Sequence, residues 1–189
     1  MEALVHHQRV TEGALHQTSV VITDRADAGA IERAASLGCA VEVVPLPSVE
    51  DRVARRMAHE TLIQTKLEAY DVEAIVLSGW MRLLTAEFVA QWEGRLVNIH
   101  PSLLPNFPGA HAHRDALAAG ATESGCTVHF VDAGMDTGPI IAQAAVPVLE
   151  GDDIARLAAR VKTEEHRLYP RVIDALASGA ISFDAPALP

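Results

Sequence analysis

Short apolar segments alternate with longer segments of helical periodicity along most of the chain. The apolar segments predict strands at residues 19–23, 41–45, 72–78, 96–99, 126–131 and 139–148. The segments between them repeat apolar residues every three or four positions, which is typical of helices that cover a sheet. They predict helices at residues 28–37, 48 or 50 to 70, 85–92, 110–119 and 153–177. Thr85 is predicted to cap the third of these helices and Asp152 the last.

This order of elements predicts an α/β domain. Strands separated by helices favour a mostly parallel sheet with helices on both faces, and the two adjacent strands predict an antiparallel part near the C-terminus. No repeat, low-complexity block or linker divides residues 1–189, so a single domain is expected. Residues 1–17 resemble the body of a helix that lacks a capping residue. Residues 182–189 end in ALP and predict a loose tail.

Composition excludes several classes of function. The chain has 15 basic and 25 acidic residues, a net charge of −10, and only 4% aromatic residues. An acidic chain with few aromatic side chains is a poor binder of nucleic acid. No apolar run reaches the roughly 18 residues of a membrane span, and no signal segment opens the sequence, so a cytoplasmic protein is predicted. Cys39 and Cys126 fit no metal spacing and indicate buried free thiols in a reducing cytosol.

The candidate chemistry lies at the end of one predicted strand and in one turn. Asn98 and His100 are two positions apart, so they point to the same side of the strand at residues 96–99. Pro101 stops that strand, which leaves both polar side chains at its end. Asp136 lies in a turn between two glycines after the strand at 126–131. An amide, an imidazole and a carboxylate that meet in this way predict an acyl-transfer site.

Each of these residues also has a purely structural interpretation. His100 could be a hydrogen-bonded core histidine, and Asp136 could merely cap its turn. For His129, in the middle of a strand, a structural hydrogen bond is the favoured role. His111 and His113 lie too close together and lack a third ligand in pattern, so no metal site is predicted.

Five motifs together resemble the phosphoribosylglycinamide formyltransferases, the folate-dependent enzymes of purine synthesis. They are NIHPSLLP at 98–105, Gly109, GCTVHFV at 125–131, DTGPIIAQ at 136–143 and EHRLYP at 165–170. The resemblance covers residues 1 to about 180. It implies a Rossmann-like formyltransferase fold and transfer of a formyl group from 10-formyltetrahydrofolate to glycinamide ribonucleotide, without a metal. It leaves open a monomer or a homodimer.

The resemblance also implies roles for individual residues. The catalytic trio would be Asn98, His100 and Asp136. The folate would bind beside Arg55, Met81, Arg82, Leu83, Leu84, Asn98, Asp132, Ala133, Gly134, Met135 and Asp136. The ribonucleotide would bind beside Pro101, Lys162 and Glu165. For Arg55 and its neighbouring arginines, a solvated helix face is the alternative interpretation.

The residue types suit formyl transfer. When the ribonucleotide amine attacks the formyl carbon, negative charge develops on the formyl oxygen. Asn98 can donate a neutral hydrogen bond to that oxygen, and a protonated His100 can donate a charged one. A carboxylate at Asp136 favours the protonated ring. The amine proton must then reach the departing N10 through His100, Asp136 or a bridging water.

One part of the family pattern is missing. The family opens with a strand and a glycine-rich loop that binds the substrate phosphate, whereas residues 1–4 resemble the helix that follows that loop. Either the start is assigned late, or the chain is a truncated paralogue that retains only the folate half. The missing loop makes non-catalytic folate binding an alternative function. Formyltetrahydrofolate hydrolysis is a second alternative within folate chemistry, although the ending at 165–170 argues against it.

Overall fold

The computed structural model describes residues 1–188. The helices in this range are α1 (Glu2–Val10), α2 (Gly29–Ser36), α3 (Arg52–Ala69), α4 (Ala86–Gln91), α5 (Ala112–Ala118) and α6 (Ile154–Ala177). The strands are β1 (Val21–Thr23), β2 (Val41–Val43), β3 (Ile75–Leu77), β4 (Leu96–His100), β5 (Glu123–Phe130) and β6 (Ile140–Pro147). None of these helices combines the length and apolar character needed to cross a membrane.

The strands form two separate sheets. β1 pairs with β2 in parallel, and a second sheet has the order β3-β4-β5-β6. In this second sheet β3 and β4 are parallel, whereas β5 is antiparallel to both of its neighbours. The predicted α/β fold and its antiparallel C-terminal part are confirmed. The antiparallel share is larger than predicted, because β4 already pairs with β5 in that sense.

Side-chain caps fix where three of the helices begin. Asp51, Thr85 and Asp153 each accept a hydrogen bond from the backbone N–H three residues later, at 2.8, 3.2 and 2.8 Å. The cap at Thr85 was predicted. The start of α3 was predicted at residue 48 or 50, whereas the helix begins after Asp51. The prediction of Asp152 as the cap of α6 is wrong. Its carboxylate instead forms an ion pair with Arg160 at 2.7 Å.

Two apolar cores lie on opposite faces of the larger sheet. Consecutive residues of β4 divide between them, because Val97 faces one core and Leu96 the other. The core on the α6 side includes Phe130, Leu157, Val161 and Val172. The core on the α3 and α4 side includes Ile63, Leu67, Phe88 and Trp92. Helices therefore cover both faces of the sheet, as predicted.

The end of the chain packs onto this sheet. The Phe183 ring lies 5.6 Å from that of Phe130, centroid to centroid, and the backbone N–H of Leu188 donates to Ile141 O at 3.0 Å. Residues 182–188 are therefore not the loose tail that the sequence predicted. The reason is that Phe183 and Leu188 cover apolar surface on β5 and β6. Pro189 lies outside the described residues.

Tyr169 links α6 to the ends of two parallel strands. Its ring is buried, and its hydroxyl lies 2.8 Å from Leu77 O and 3.2 Å from Val97 O. The single hydroxyl proton is shared between these two carbonyls. This contact connects the helix to β3 and β4 close to where the candidate site begins.

Replacing Tyr169 with phenylalanine removes this hydroxyl and leaves the ring in place. We expect Tyr169→Phe to lower the free energy of unfolding by about 1 kcal/mol, because one buried hydrogen bond is lost. Urea denaturation would measure the change. Tyr70→Phe is a matched control, because its hydroxyl bonds Glu42 Oε1 at 3.0 Å in a less buried setting. An equal loss in both variants would contradict the role assigned to Tyr169.

Candidate active site

Asn98 and His100 lie side by side at the carboxyl end of β4, as predicted. The antiparallel register places Asn98 opposite His129 and His100 opposite Thr127. Cross-strand partners share one face of a sheet, so the four polar side chains form a single row. His100, Thr127 and His129 are buried, whereas Asn98 is half-buried. Asn98 is therefore the member of the row most open to a ligand.

His129 orients the Asn98 amide. Its Nδ1 lies 2.8 Å from Phe130 O, and a carbonyl can only accept, so Nδ1 carries a proton. In the neutral ring Nε2 is then an acceptor, and it receives a hydrogen bond from Asn98 Nδ2 at 3.2 Å. Burial lowers the pKa of His129 and so favours the neutral ring. The structural role predicted for His129 is confirmed, and the second N–H of the amide stays available.

Both nitrogens of His100 face oxygen acceptors. Nε2 donates to Phe107 O at 2.9 Å, and Nδ1 lies 3.4 Å from Asp136 Oδ2. A carbonyl oxygen can only accept, so Nε2 carries a proton, and Nδ1 is the nitrogen that faces the carboxylate. His100 was predicted to donate a hydrogen bond to the formyl oxygen. Its Nε2 cannot do so in this structure, because it already donates to Phe107 O. Only Nδ1, which faces Asp136 Oδ2, remains as a donor to the formyl oxygen.

The carboxylate of Asp136 lies between both histidines. Its Oδ2 accepts the backbone N–H of Gly109 at 2.8 Å, and its Oδ1 is 3.7 Å from His129 Nε2. Asp136 has a positive φ of 56°, which aspartate tolerates better than most residues. The turn thus presents the carboxylate to the strand residues, so Asp136 does more than cap its own turn.

The loop after His100 is tied to the sheet by Thr127. The Thr127 hydroxyl donates to Ser102 O at 2.7 Å and accepts from the backbone N–H of Leu104 at 3.0 Å. Gln143 Nε2 on β6 donates to Leu104 O at 2.9 Å. These bonds hold the loop that supplies Phe107 O and Gly109 N–H to the trio.

The loop at residues 132–136 is closed by its own hydrogen bonds. Asp132 Oδ1 accepts the Gly134 N–H at 3.0 Å and the Thr137 hydroxyl at 2.8 Å. Ala133 and Met135 are exposed within this loop, and the Met135 side chain lies against Gly109 beside the trio. An apolar surface therefore flanks Asp136.

A second loop, at residues 79–84, leaves β3 at the same sheet edge, because β3 and β4 are parallel. Met81 and Leu83 are 69% and 51% exposed, which is unusual for large apolar side chains. Arg82 bonds Asp24 at 2.6 Å, and Leu84 packs into the core on the α3 side. Of the four residues predicted from this loop, Met81, Arg82 and Leu83 are exposed and Leu84 is half-buried.

The remaining predicted site residues are not joined to the trio by a hydrogen bond or ion pair within residues 1–188. Pro101 directly follows His100 in the chain. Arg55 is half-buried on α3. Lys162 is exposed and Glu165 half-buried on adjacent turns of α6, and burial raises the pKa of Glu165. For these four residues, the structure gives the position but no hydrogen bond or ion pair with Asn98, His100 or Asp136.

Sequence reasoning missed two parts of the site. It noted Gly109 only as a motif residue, although the Gly109 N–H holds Asp136. It also considered His113 only as a metal ligand. Burial lowers the pKa of His113, a nearby His100 lowers it further, and His113 Nδ1 is buried without a hydrogen-bond partner. Within residues 1–188, no three His, Cys, Asp or Glu side chains are grouped to hold a metal ion.

Comparisons with known proteins identify relatives of this chain. Residues 2–173 match the family model described as formyl transferase. The phosphoribosylglycinamide formyltransferase of Escherichia coli (strain K12) is 44% identical over 163 residues, which are 85% of this chain and 74% of that protein. A trifunctional purine biosynthetic protein adenosine-3 from Drosophila pseudoobscura pseudoobscura is 47% identical over 170 residues, 90% of this chain. The chain spans only 12% of that longer protein.

A solved structure supports the same relationship. The crystal structure of glycinamide ribonucleotide transformylase 1 from Symbiobacterium toebii superposes with a TM-score of 0.90 at 42% identity. The match covers 98% of this chain and 85% of that one. The Rossmann-like formyltransferase fold expected from the resemblance is thereby confirmed.

The environment of His129 predicts a dependence on pH. Because burial lowers the pKa of His129 below its ordinary value of 6.5, the unfolded chain takes up a proton there before the folded chain does. The contribution of His129 should therefore lower the free energy of unfolding as the pH falls below about 6.5, and it should have no effect on that free energy at higher pH.

A titration of the imidazole C–H signals by NMR would test this prediction. The His129 signal would be assigned by its loss in a His129→Gln variant. We expect its titration midpoint to lie at a lower pH in the folded chain than in the urea-unfolded chain. A folded-state midpoint at or above that of the unfolded chain would be inconsistent with a neutral, Asn98-orienting ring.

Proposed function

The chain belongs to the formyl transferase family, and we propose that it transfers a formyl group from 10-formyltetrahydrofolate to the amine of glycinamide ribonucleotide in purine synthesis. The names of the relatives favour transfer over the hydrolase and non-catalytic alternatives. As a purine-synthesis enzyme it would act in the cytoplasm on small molecules, without a nucleic-acid or membrane partner. The acidic net charge of −10 agrees with this assignment.

One observation carries the proposal. An amide, an imidazole and a carboxylate meet at the end of β4, with Asp136 Oδ2 3.4 Å from His100 Nδ1 and Asn98 on the same face. Formyl transfer needs a hydrogen-bond donor where the formyl oxygen becomes negative and a group that can carry a proton between two nitrogens. The amide supplies the first requirement, and the imidazole–carboxylate pair supplies the second.

In the proposed reaction, the ribonucleotide amine attacks the formyl carbon and N10 of the folate leaves. Asn98 donates its free N–H to the formyl oxygen, since its other N–H is bonded to His129. His100 Nδ1 shares its proton with Asp136 and stabilises the same developing charge. Asp136 then accepts the amine proton, directly or through water, and the proton is delivered to N10. The Gly109 N–H keeps Asp136 in place throughout.

The chain offers apolar surface for the folate ring system beside this trio. Met81, Leu83 and Met135 are all more than half exposed, and each lies on a loop at or beside the site edge of the sheet. Exposed apolar side chains suit a flat aromatic ligand. Backbone groups of Arg82, Leu84 and residues 132–134 would bond its polar edge, and half-buried Arg55 would face its acidic tail. The chain needs no metal in this scheme.

The ribonucleotide would bind on the α6 side of His100. Pro101 begins the loop there, and Lys162 and Glu165 provide a cation and a carboxylate one helical turn apart. A lysine suits a phosphate or ribose oxygen, and a carboxylate suits a hydroxyl or an amine. This surface is polar, in contrast to the apolar loops on the folate side.

An assay with defined substrates tests the proposed function. Purified chain would be given 10-formyltetrahydrofolate with and without glycinamide ribonucleotide, and tetrahydrofolate release would be followed by absorbance. We expect release only when the ribonucleotide is present. Release without it would favour the hydrolase, and no release under either condition would favour non-catalytic binding.

Asp136→Asn tests the proton-transfer role separately. We expect turnover to fall by about 10²–10⁴-fold, because the amide cannot accept the amine proton although it can still accept the Gly109 N–H. Steady-state kinetics would measure the loss, and an unchanged melting temperature would show that the fold is retained. Asp27→Asn is the control, since that side chain is 72% exposed. Near-normal turnover in Asp136→Asn would remove Asp136 from the mechanism.

A further inference from the structure

Three of the four methionines of the chain are exposed. Met57, Met81 and Met135 have exposed fractions of 49%, 69% and 54%, whereas Met1 is half-buried. Methionine is an apolar residue that is ordinarily found inside a protein. Its thioether is also open to oxidation to the sulfoxide, a reaction that reductases can reverse. The three exposed sulfurs are therefore accessible to an oxidant, and they differ in where they lie.

The end of the Met135 side chain lies against Gly109. Gly109 has a positive φ of 85°, a conformation that favours glycine, so it has no side chain of its own to cover this part of the loop. A Cβ placed on Gly109 would stand 3.8 Å from Met135 Sδ and 3.9 Å from Met135 Cε, which is ordinary van der Waals contact. The thioether therefore provides the apolar neighbour that covers Gly109.

Gly109 is the residue that holds the carboxylate of the trio. Its N–H donates to Asp136 Oδ2 at 2.8 Å, and the same oxygen lies 3.4 Å from His100 Nδ1. Met135 directly precedes Asp136 in the chain, and its sulfur lies against the residue that donates this hydrogen bond. A chemical change at the sulfur would thus act next to the contact that positions Asp136.

The backbone on both sides of Met135 is tied down. Asp132 Oδ1 accepts the N–H of Gly134 at 3.0 Å and the hydroxyl of Thr137 at 2.8 Å, which closes the loop around Met135. A Cβ on Gly134 would come within 2.0 Å of Thr137 Oγ1, so the loop is also tightly packed. A larger and more polar group at the sulfur must therefore be accommodated beside Gly109 by the side chain itself.

Oxidation would change both the size and the polarity of this group. A peroxide transfers one oxygen atom to the thioether sulfur, which gives up two electrons. The O–O bond breaks, and with hydrogen peroxide the second oxygen leaves as water. The new sulfoxide oxygen is polar and accepts hydrogen bonds. It can compete with Asp136 for the Gly109 N–H, and its partial negative charge repels the carboxylate. Both effects weaken the same hydrogen bond.

We propose that Met135 is an oxidation-sensitive site, at which conversion of the thioether to the sulfoxide by a peroxide loosens Asp136 from the Gly109 N–H and lowers turnover, and reduction of the sulfoxide restores both. Met57 lies on α3 and Met81 on the loop at residues 79–84, so oxidation of either leaves this hydrogen bond in place. The effect on turnover rests on the proposed function, whereas the effect on the Gly109 hydrogen bond does not.

Amide hydrogen exchange tests the effect on Gly109 directly. The isotope-labelled chain would be treated with hydrogen peroxide, and peptide mass spectrometry would give the oxidised fraction of each methionine. We expect the Gly109 amide to exchange at least about tenfold faster once Met135 is oxidised, because its bond to a charged acceptor is weakened. Methionine sulfoxide reductases A and B should restore the slow exchange. The Leu104 amide, which donates to Thr127 Oγ1 in the same loop, is the internal control.

Methionine-to-leucine variants separate the three sulfurs. Leucine is apolar and similar in volume, but it has no sulfur to oxidise. Relative to the untreated sample of each protein, we expect peroxide to lower turnover at least about tenfold in the original chain and in the double variant Met57→Leu/Met81→Leu, but not in Met135→Leu. The Met135→Leu variant retains Cys39 and Cys126, so it also shows any loss that thiol oxidation causes.

Faster exchange at Gly109 that requires Met135 and is reversed by the reductases supports the inference. Three results would overturn it: unchanged Gly109 exchange after full oxidation of Met135, an equal peroxide effect in Met135→Leu, or oxidation of Met57 and Met81 that spares Met135. If no sample uses glycinamide ribonucleotide before treatment, the proposed function fails, while the exchange of Gly109 still decides whether the site is sensitive to oxidation.

Discussion

The pairing of β4 with β5 is the interaction on which the candidate site depends. This antiparallel ladder sets Asn98 opposite His129 and His100 opposite Thr127. A shift of one residue would turn all four side chains to the opposite face of the sheet. Because Val97 and Val128 are completely buried, the apolar cores strongly disfavour such a shift. The same packing that stabilises the sheet therefore fixes which polar groups meet at its surface.

Hydrogen bonds extend this order from the strands into the loops. Phe130 O fixes the proton of His129, His129 fixes the Asn98 amide, and the Gly109 N–H fixes Asp136. Each of these hydrogen bonds fixes whether the atom that faces the next residue is a donor or an acceptor. Buried polar groups without partners are costly, so such a chain of contacts holds a site in one arrangement before any ligand arrives. That property is what stabilisation of a developing charge requires.

The sequence predicted well where the signal is local. Apolar periodicity located every helix and strand, and Thr85 was identified as a cap from its position alone. The spacing of Asn98 and His100 placed both on one face. Errors arose where two neighbouring residues compete, as at Asp152 and Asp153, where Arg160 draws the first aspartate away from the helix start.

Contacts between distant segments could not be read from the sequence. No sequence pattern indicates the hydrogen bond from His100 Nε2 to Phe107 O or the contact between the rings of Phe183 and Phe130. Both depend on how loops close over an already formed sheet. The resemblance to a family supplied the roles of the trio, but only the register of β4 and β5 explains why His129 accompanies Asn98.

The loop at residues 79–84 connects the two-stranded sheet with the edge of the larger sheet that carries the trio. Gly79 and Trp80 line a cleft of about 1470 Å³ between the two sheets, whereas Met81 and Leu83 provide exposed surface at the edge of the larger sheet. Arg82 joins this loop to Asp24, directly after β1, at 2.6 Å. The loop is thus anchored on one side by the two-stranded sheet and on the other by β3. The relative position of the two sheets therefore affects this loop, so the order of the proposed folate surface depends on a part of the fold remote from the catalytic trio.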